Sequence, residues 1–217
     1  MSSLLDHPFQ LIIFLFSLSV LPLFAVMATS FLKLSVVFSL LRNALGIQQI
    51  PPNMAIYGLA LILTMFIMAP VGLKIKDNLQ HTPISLTSDK FYQQIDQGAL
   101  EPYRVFLKRH TDPKQIHFFS EVGHRLWPKQ YQKKLDDGSL LVMIPAFTVS
   151  QLIEAFKIGL LLFLPFVAID LIVSNILLAM GMMMVSPMTI SLPFKLLIFV
   201  LMGGWEKLLT QLMLSYS

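Results

Sequence analysis

Four charged side chains lie inside otherwise apolar runs: Lys33, Glu154, Lys157 and Asp170. Ionisable groups in such runs pair within protein, snorkel to a membrane surface, or take part in ion movement. Each costs roughly 2.5–3.5 kcal/mol at mid-membrane, so four unpaired charges would cost about 10–14 kcal/mol. A Leu-rich helix recovers only about 0.3–0.6 kcal/mol per apolar residue. These groups are therefore expected to face protein or water. Glu154 and Lys157 are three residues apart, which lets them pair on one helix face. Lys33 and Asp170 have no local partner, so pairing requires another hairpin or another subunit. Structural pairing is the favoured reading of the three.

Other chemistry is hard to find. His110, His117 and His124 recur every seven residues. On a helix that spacing is about 10.5 Å, too far for two imidazoles to share one ion. Pro113 also breaks the helix between the first two. No metal site is expected. No nucleophile motif, phosphate loop or ligand set stands out, so neither catalysis nor a cofactor is expected. Asp136-Asp137-Gly138 reads as a loop. Cysteine is absent, which excludes disulfides.

One further stretch could act physically rather than chemically. Ala179 to Met188 holds five of the chain's 13 methionines. Gly181 precedes Met182, Met183 and Met184, and Pro187 follows them. Irregular backbone at membrane depth survives only inside protein or along a cavity. Two readings arise: a hairpin turn in which Met fills gaps, or a flexible apolar constriction in a passage. The ten residues by themselves favour the turn.

The elements that position these groups are helical. Of 217 residues, 55% are hydrophobic and 13% charged. Soluble domains carry about 25% charged residues. The composition is that of a membrane protein. Of the 28 charged residues, 19 fall in residues 73–140. Two apolar blocks therefore flank one polar insert, with boundaries at 1–73, 74–140 and 141–217. The insert has 11 basic and eight acidic residues. That mixture argues against nucleic-acid binding and for a solvated surface.

The first block reads as a long helix bent at Pro22 and continuing to about Ala44, where Gly46 stops it. Its start lacks the basic residues of a cleavable signal peptide, so it reads as an uncleaved membrane segment. A connector through Pro51-Pro52 leads to a second helix from Asn53 to about Ile75. In the insert, short helices are expected over 88–97, over 99–110, and from the Asp112-Pro113 cap to about Val122. Val105, Leu107, Ile116, Phe118, Phe119, Leu126 and Trp127 are its candidate core, too small to stand without support. The second block reads as a helix kinked at Pro165, a connector at Thr189 to Lys195, and a last helix from Pro193 to Leu214. The expected fold is all-α: two long Pro-kinked hydrophobic hairpins around a small helical insert.

Arg42 and Lys33 lie near the first connector, Lys195 lies in the second, and the N-terminus has no basic residue. The positive-inside rule then puts both connectors in the cytoplasm and the insert outside.

Pro145-Ala146-Phe147-Thr148-Val149-Ser150-Gln151-Leu152-Ile153-Glu154-Ala155-Phe156-Lys157-Ile158-Gly159 closely resembles a signature of the FliP/YscR family, also called SctR. Leu164-Pro165-Phe166, Leu178 to Pro187, and Leu192-Pro193-Phe194-Lys195 carry a second signature. The first hairpin adds Leu40 to Gly46 and Gln49 to Asn53. Pro102-Tyr103-Arg104 and Leu126-Trp127-Pro128 resemble the virulence branch. Members are export-apparatus proteins of type III secretion systems in the bacterial inner membrane. The resemblance implies a pentamer joined by two smaller membrane proteins. That assembly is the entry pore for unfolded secreted substrates, its hairpins stacked toward the periplasm rather than necessarily crossing lipid. It also implies a methionine gasket formed by Met182, Met183 and Met184, which reverses the balance between turn and constriction. Methionine suits such a seal because it is unbranched and polarizable.

One position departs from the family pattern. Gln151 stands where members often carry Glu, a plausible ion-pair partner for Lys195. Lys195 is then expected to bond to Gln151 or to pair with Glu154. The competing functional class is a small-solute or ion transporter with Lys33 and Asp170 as coupling charges. Co-assembly into a ring would separate the two.

Overall fold

The computed structural model describes residues 8–47, 50–81, 98–132 and 135–217. Its helices are α1 (Pro8–Met27), α2 (Phe31–Leu45), α3 (Asn53–His81), α4 (Glu101–Arg109), α5 (Pro113–Leu126), α6 (Lys129–Gln132), α7 (Leu140–Ala179), α8 (Pro187–Leu201) and α9 (Gly204–Leu214). The expected all-α membrane-class fold is present. Asn53–Gln80 and Leu140–Ala179 are each long and apolar enough to cross a membrane. Two further pairs, α1 with α2 and α8 with α9, reach that length together but are bent by 64° and 61°.

The bend in the first block differs from the sequence expectation. Pro22 lies inside α1, and the helix breaks at residues 28–30. The cause is competition for backbone groups. The Thr29 hydroxyl donates to the Ala25 carbonyl at 2.6 Å, a local bond that bends helices. The carbonyls left without helical partners are then capped from elsewhere. Tyr103 Oη donates to the Ala28 carbonyl at 2.7 Å and Thr148 Oγ1 to the Met27 carbonyl at 3.1 Å. Burial raises the Tyr103 phenol to about 12, which keeps it a donor.

Gly46 ends α2 in the left-handed region at φ 81°, as expected for a helix stop. Helix α2 is the most enclosed element. Leu34, Val37, Phe38 and Leu41 face Ala155 and Phe166 of α7 and Phe199 of α8 within one apolar core. The α2–α7 approach is close: a Cβ on Gly159 would lie 2.2 Å from Leu40 Cδ1.

In the insert, Asp112 caps α5 by accepting from the Lys114 amide at 2.9 Å. The expected helix over 88–97 lies outside the described residues. The candidate insert core is only partly buried. Leu107 is enclosed, but Val105, Phe118 and Leu126 are exposed. Leu107 and Phe106 instead pack on Met143 and Phe147 of α7. The 40-residue α7, about 60 Å long, thus supports the insert at one end and the apolar block along its middle.

The second block also differs in its connector. Thr189 to Lys195 lies inside α8, and the chain turns at Met180 to Ser186 instead. Pro187 takes the first helical position, where its missing N–H removes no bond. Pro193 is accommodated within the helix. The expected last helix starting at Pro193 is replaced by α9, which begins after the left-handed Gly203.

Candidate functional site

The methionine stretch is a tight turn between two helices. The Met182 amide donates to the Leu177 carbonyl at 2.9 Å, and the Gly181 amide to Leu178 at 3.0 Å. This pair of bonds is a Schellman motif, which requires a left-handed residue after the cap. Gly181 supplies it at φ 73°. The turn presents three consecutive apolar side chains to the outside. Met182 is half-exposed, Met183 is exposed and Met184 is wholly exposed.

Below that turn sits a buried lysine. Lys195, about two turns past Met188 on α8, is 2% exposed. Its Nζ donates to Asp170 Oδ2 at 2.6 Å and to the Ala44 carbonyl at 3.4 Å. The other Asp170 oxygen accepts from the Ser191 hydroxyl. Asp170 comes from α7, Lys195 and Ser191 from α8, and Ala44 from the end of α2. The node thus joins both helices flanking the methionine turn to the tip of the first hairpin. Gly46 lies beside it, with an added Cβ only 3.7 Å from Met188 Cγ and 3.9 Å from Lys195 Nζ.

A second buried lysine organises the other end. Lys33 is 2% exposed on α2. Its Nζ donates to Glu154 Oε2 of α7 at 2.7 Å and to the Ser215 hydroxyl at 2.9 Å. It also lies 4.7 Å from the Tyr216 ring centroid, a cation–π contact. Tyr216 donates its phenol proton to Gln151 Oε1, and Gln151 Nε2 donates to the His110 carbonyl at 2.7 Å. Burial first, then the Glu154 charge, raise the Tyr216 phenol. The ring stacks on Phe106 at 6.2 Å.

Several expectations are corrected by these contacts. Glu154 pairs with Lys33 rather than with Lys157, which is exposed. Lys195 pairs with Asp170, not with Gln151 or Glu154. Gln151 is 1% exposed and is spent on Tyr216 and His110. A neutral amide fits there because it must accept from one partner and donate to another, which a carboxylate cannot do. Ser215, Tyr216 and Ser191 were not singled out by the sequence, and Tyr103 stood only within a family motif, with no bond assigned to it. Their partners are 182, 65, 21 and 75 residues away, beyond any local spacing rule. Among the described residues, no group of three or more His, Asp or Glu side chains could hold a metal.

Relatives and a family profile match nearly the whole chain. The chain is 59% identical over 216 residues to a protein called virulence protein YscR in Salmonella typhimurium, covering 99% of this chain and all of that one. It is 58% identical over 213 residues to the Yop proteins translocation protein R of Yersinia pestis, covering 98% of each. It is 45% identical over 210 residues to the harpin secretion protein HrcR of Erwinia amylovora, covering 96% of each. The FliP family profile matches residues 14–212, from α1 to α9, and so spans the methionine turn and both buried lysines. The chain therefore belongs to the FliP family, in its virulence branch.

Proposed function

We propose that this chain is a core component of a type III secretion export apparatus. Copies of it, with two smaller membrane proteins, form the entry pore for unfolded substrates, and Met182, Met183 and Met184 close that pore when it is idle. The observation that carries the reading is the turn itself: three consecutive methionines held outward by a Gly181 Schellman cap. A solvent-exposed run of that kind is unusual for gap-filling, since none of the three is buried. Unbranched thioether side chains on a fixed turn can pack against copies of themselves and still yield to a passing chain.

The relatives' printed names, translocation and secretion proteins, support the same role. In this reading the chain divides into a first hairpin (1–73), an insert on the periplasmic side (74–140) and a second hairpin bearing the seal (141–217). The exposed apolar faces of α3 and α7 are covered by lipid or by neighbouring subunits. Lys33 and Asp170 are already committed to Glu154 and Lys195. That weighs against their use as coupling charges in a solute transporter.

Co-purification and particle imaging test the assembly. The export reading expects rings containing this chain and dissimilar smaller subunits, with the methionine turns toward the axis. A monomer that binds a small solute alone would contradict it.

A further inference from the structure

Six charged residues fall in 141–217: Glu154, Lys157, Asp170, Lys195, Glu206 and Lys207. Glu154 and Asp170 are taken by the two buried lysines. Lys157 and Glu206 are exposed, and among the described residues neither has an opposite charge within ion-pair distance. Both sit among apolar side chains. Lys157 lies near the middle of α7, and Ile153, Leu160, Leu161 and Leu164 on the same helix face are exposed. Glu206 lies in the first turn of α9, beside the exposed Met202 and Trp205. An exposed apolar stripe marks an interaction face. One broken by a single cation fits a partner that is apolar and carries one acid, since covering a charge without a counter-charge is costly.

The two charges lie at one level of the molecule. Lys33 bonds both to Glu154 of α7 and to Ser215, just beyond α9. Ile158 and Lys207, next in the chain to Lys157 and Glu206, line one cleft between α7, α8 and α9. Copies related by rotation about an axis along α7 keep that level, so the α7 stripe of each can meet α9 of the next. A contact between two different patches closes into a ring when the rotation closes. We propose that Lys157 of one copy pairs with Glu206 of the next, seating the α7 stripe against α9 of that second copy. This pairing presupposes the homo-oligomer proposed above and specifies which of its surfaces meet. Lipid would cover the stripe but leave Glu206 without a cation.

The chain has no cysteine, so introduced pairs report contacts without background from it. Full-length copies carrying Lys157→Cys and differently tagged copies carrying Glu206→Cys are co-expressed with the native partners and treated with a short bismaleimide. A cross-linked dimer containing both tags is expected, and a ladder of multimers when both changes sit in one chain. Lys157→Cys with Lys114→Cys, an exposed position on α5, should give neither. Charge reversal supplies a second readout. Lys157→Glu and Glu206→Lys should each weaken self-association roughly tenfold or more, and the two together should restore it. Intact rings with no mixed dimer would overturn the pair while leaving the oligomer standing. So would cross-links from Lys157→Cys only to the smaller subunits, or a double reversal no better than the single ones. Absence of any oligomer of the parent chain would overturn the homo-oligomer itself and the pair with it.

Discussion

Two lysines, both 2% exposed, hold this molecule together, and they do so differently. Lys33 ties the first hairpin to the second through Glu154, and it has neutral support from Ser215 and the Tyr216 ring. Lys195 has one ionic partner, Asp170 on the adjacent helix, and a single long bond to a backbone carbonyl. The first node is redundant and joins three distant segments. The second has little in reserve and sits beneath the methionine turn. Desolvating an ammonium is tolerable only when its donors are satisfied, so the two sites should respond unequally to loss of their acids.

The largest effect is expected at the less supported node. Asp170→Ala leaves Lys195 buried with only the Ala44 carbonyl. Asp170 is itself 34% exposed, so the loss should be about 3 kcal/mol, the lower end for breaking a buried pair. Thermal melting in detergent measures it. Glu154→Ala should cost less, about 2 kcal/mol, because Glu154 is 45% exposed and Ser215 and Tyr216 remain. If Glu154→Ala proved the more damaging of the two, redundancy would not be what separates the nodes. Tyr216→Phe removes the bond to Gln151 but keeps the ring over Lys33, so about 1 kcal/mol is expected.

A smaller effect comes from pH at the first node. The His110 imidazole titrates below 6.5 in the folded chain. As pH falls below 6.5, the unfolded chain takes up the proton first, so folded-state stability is lost through the window down to the folded value. Stability should therefore be highest above pH 6.5 and decline on acidification. His110→Gln should flatten that dependence.

What could be read from sequence divides along the same line between local and distant causes. Gly46 as a helix stop and Asp112-Pro113 as a cap were legible because their partners lie within four residues. The bend at residues 28–30 was not legible. Proline at position 22 carries an obvious signal. The break instead pairs a local Thr29 bond, of a kind common on helices, with carbonyls capped by Tyr103 and Thr148 from other helices, and only the latter mark this site. The same reason explains the pairing of Glu154. Its neighbour Lys157 has the right spacing, but α2 brings Lys33 closer in three dimensions. Gly181 and Pro187 marked a break correctly, yet Pro193 drew the connector too far along. A proline inside a packed helix leaves no sequence trace of the packing that retains it.

Both nodes bear on the methionine turn, Lys195 directly and Lys33 by fixing α7 against α2. The methionine seal is tested most directly by membrane permeability to small solutes in cells carrying the assembled apparatus. With Met182, Met183 and Met184 all replaced by Ala, the idle pore should leak while the complex still assembles. Unchanged permeability in a fully assembled triple variant would contradict the methionine seal.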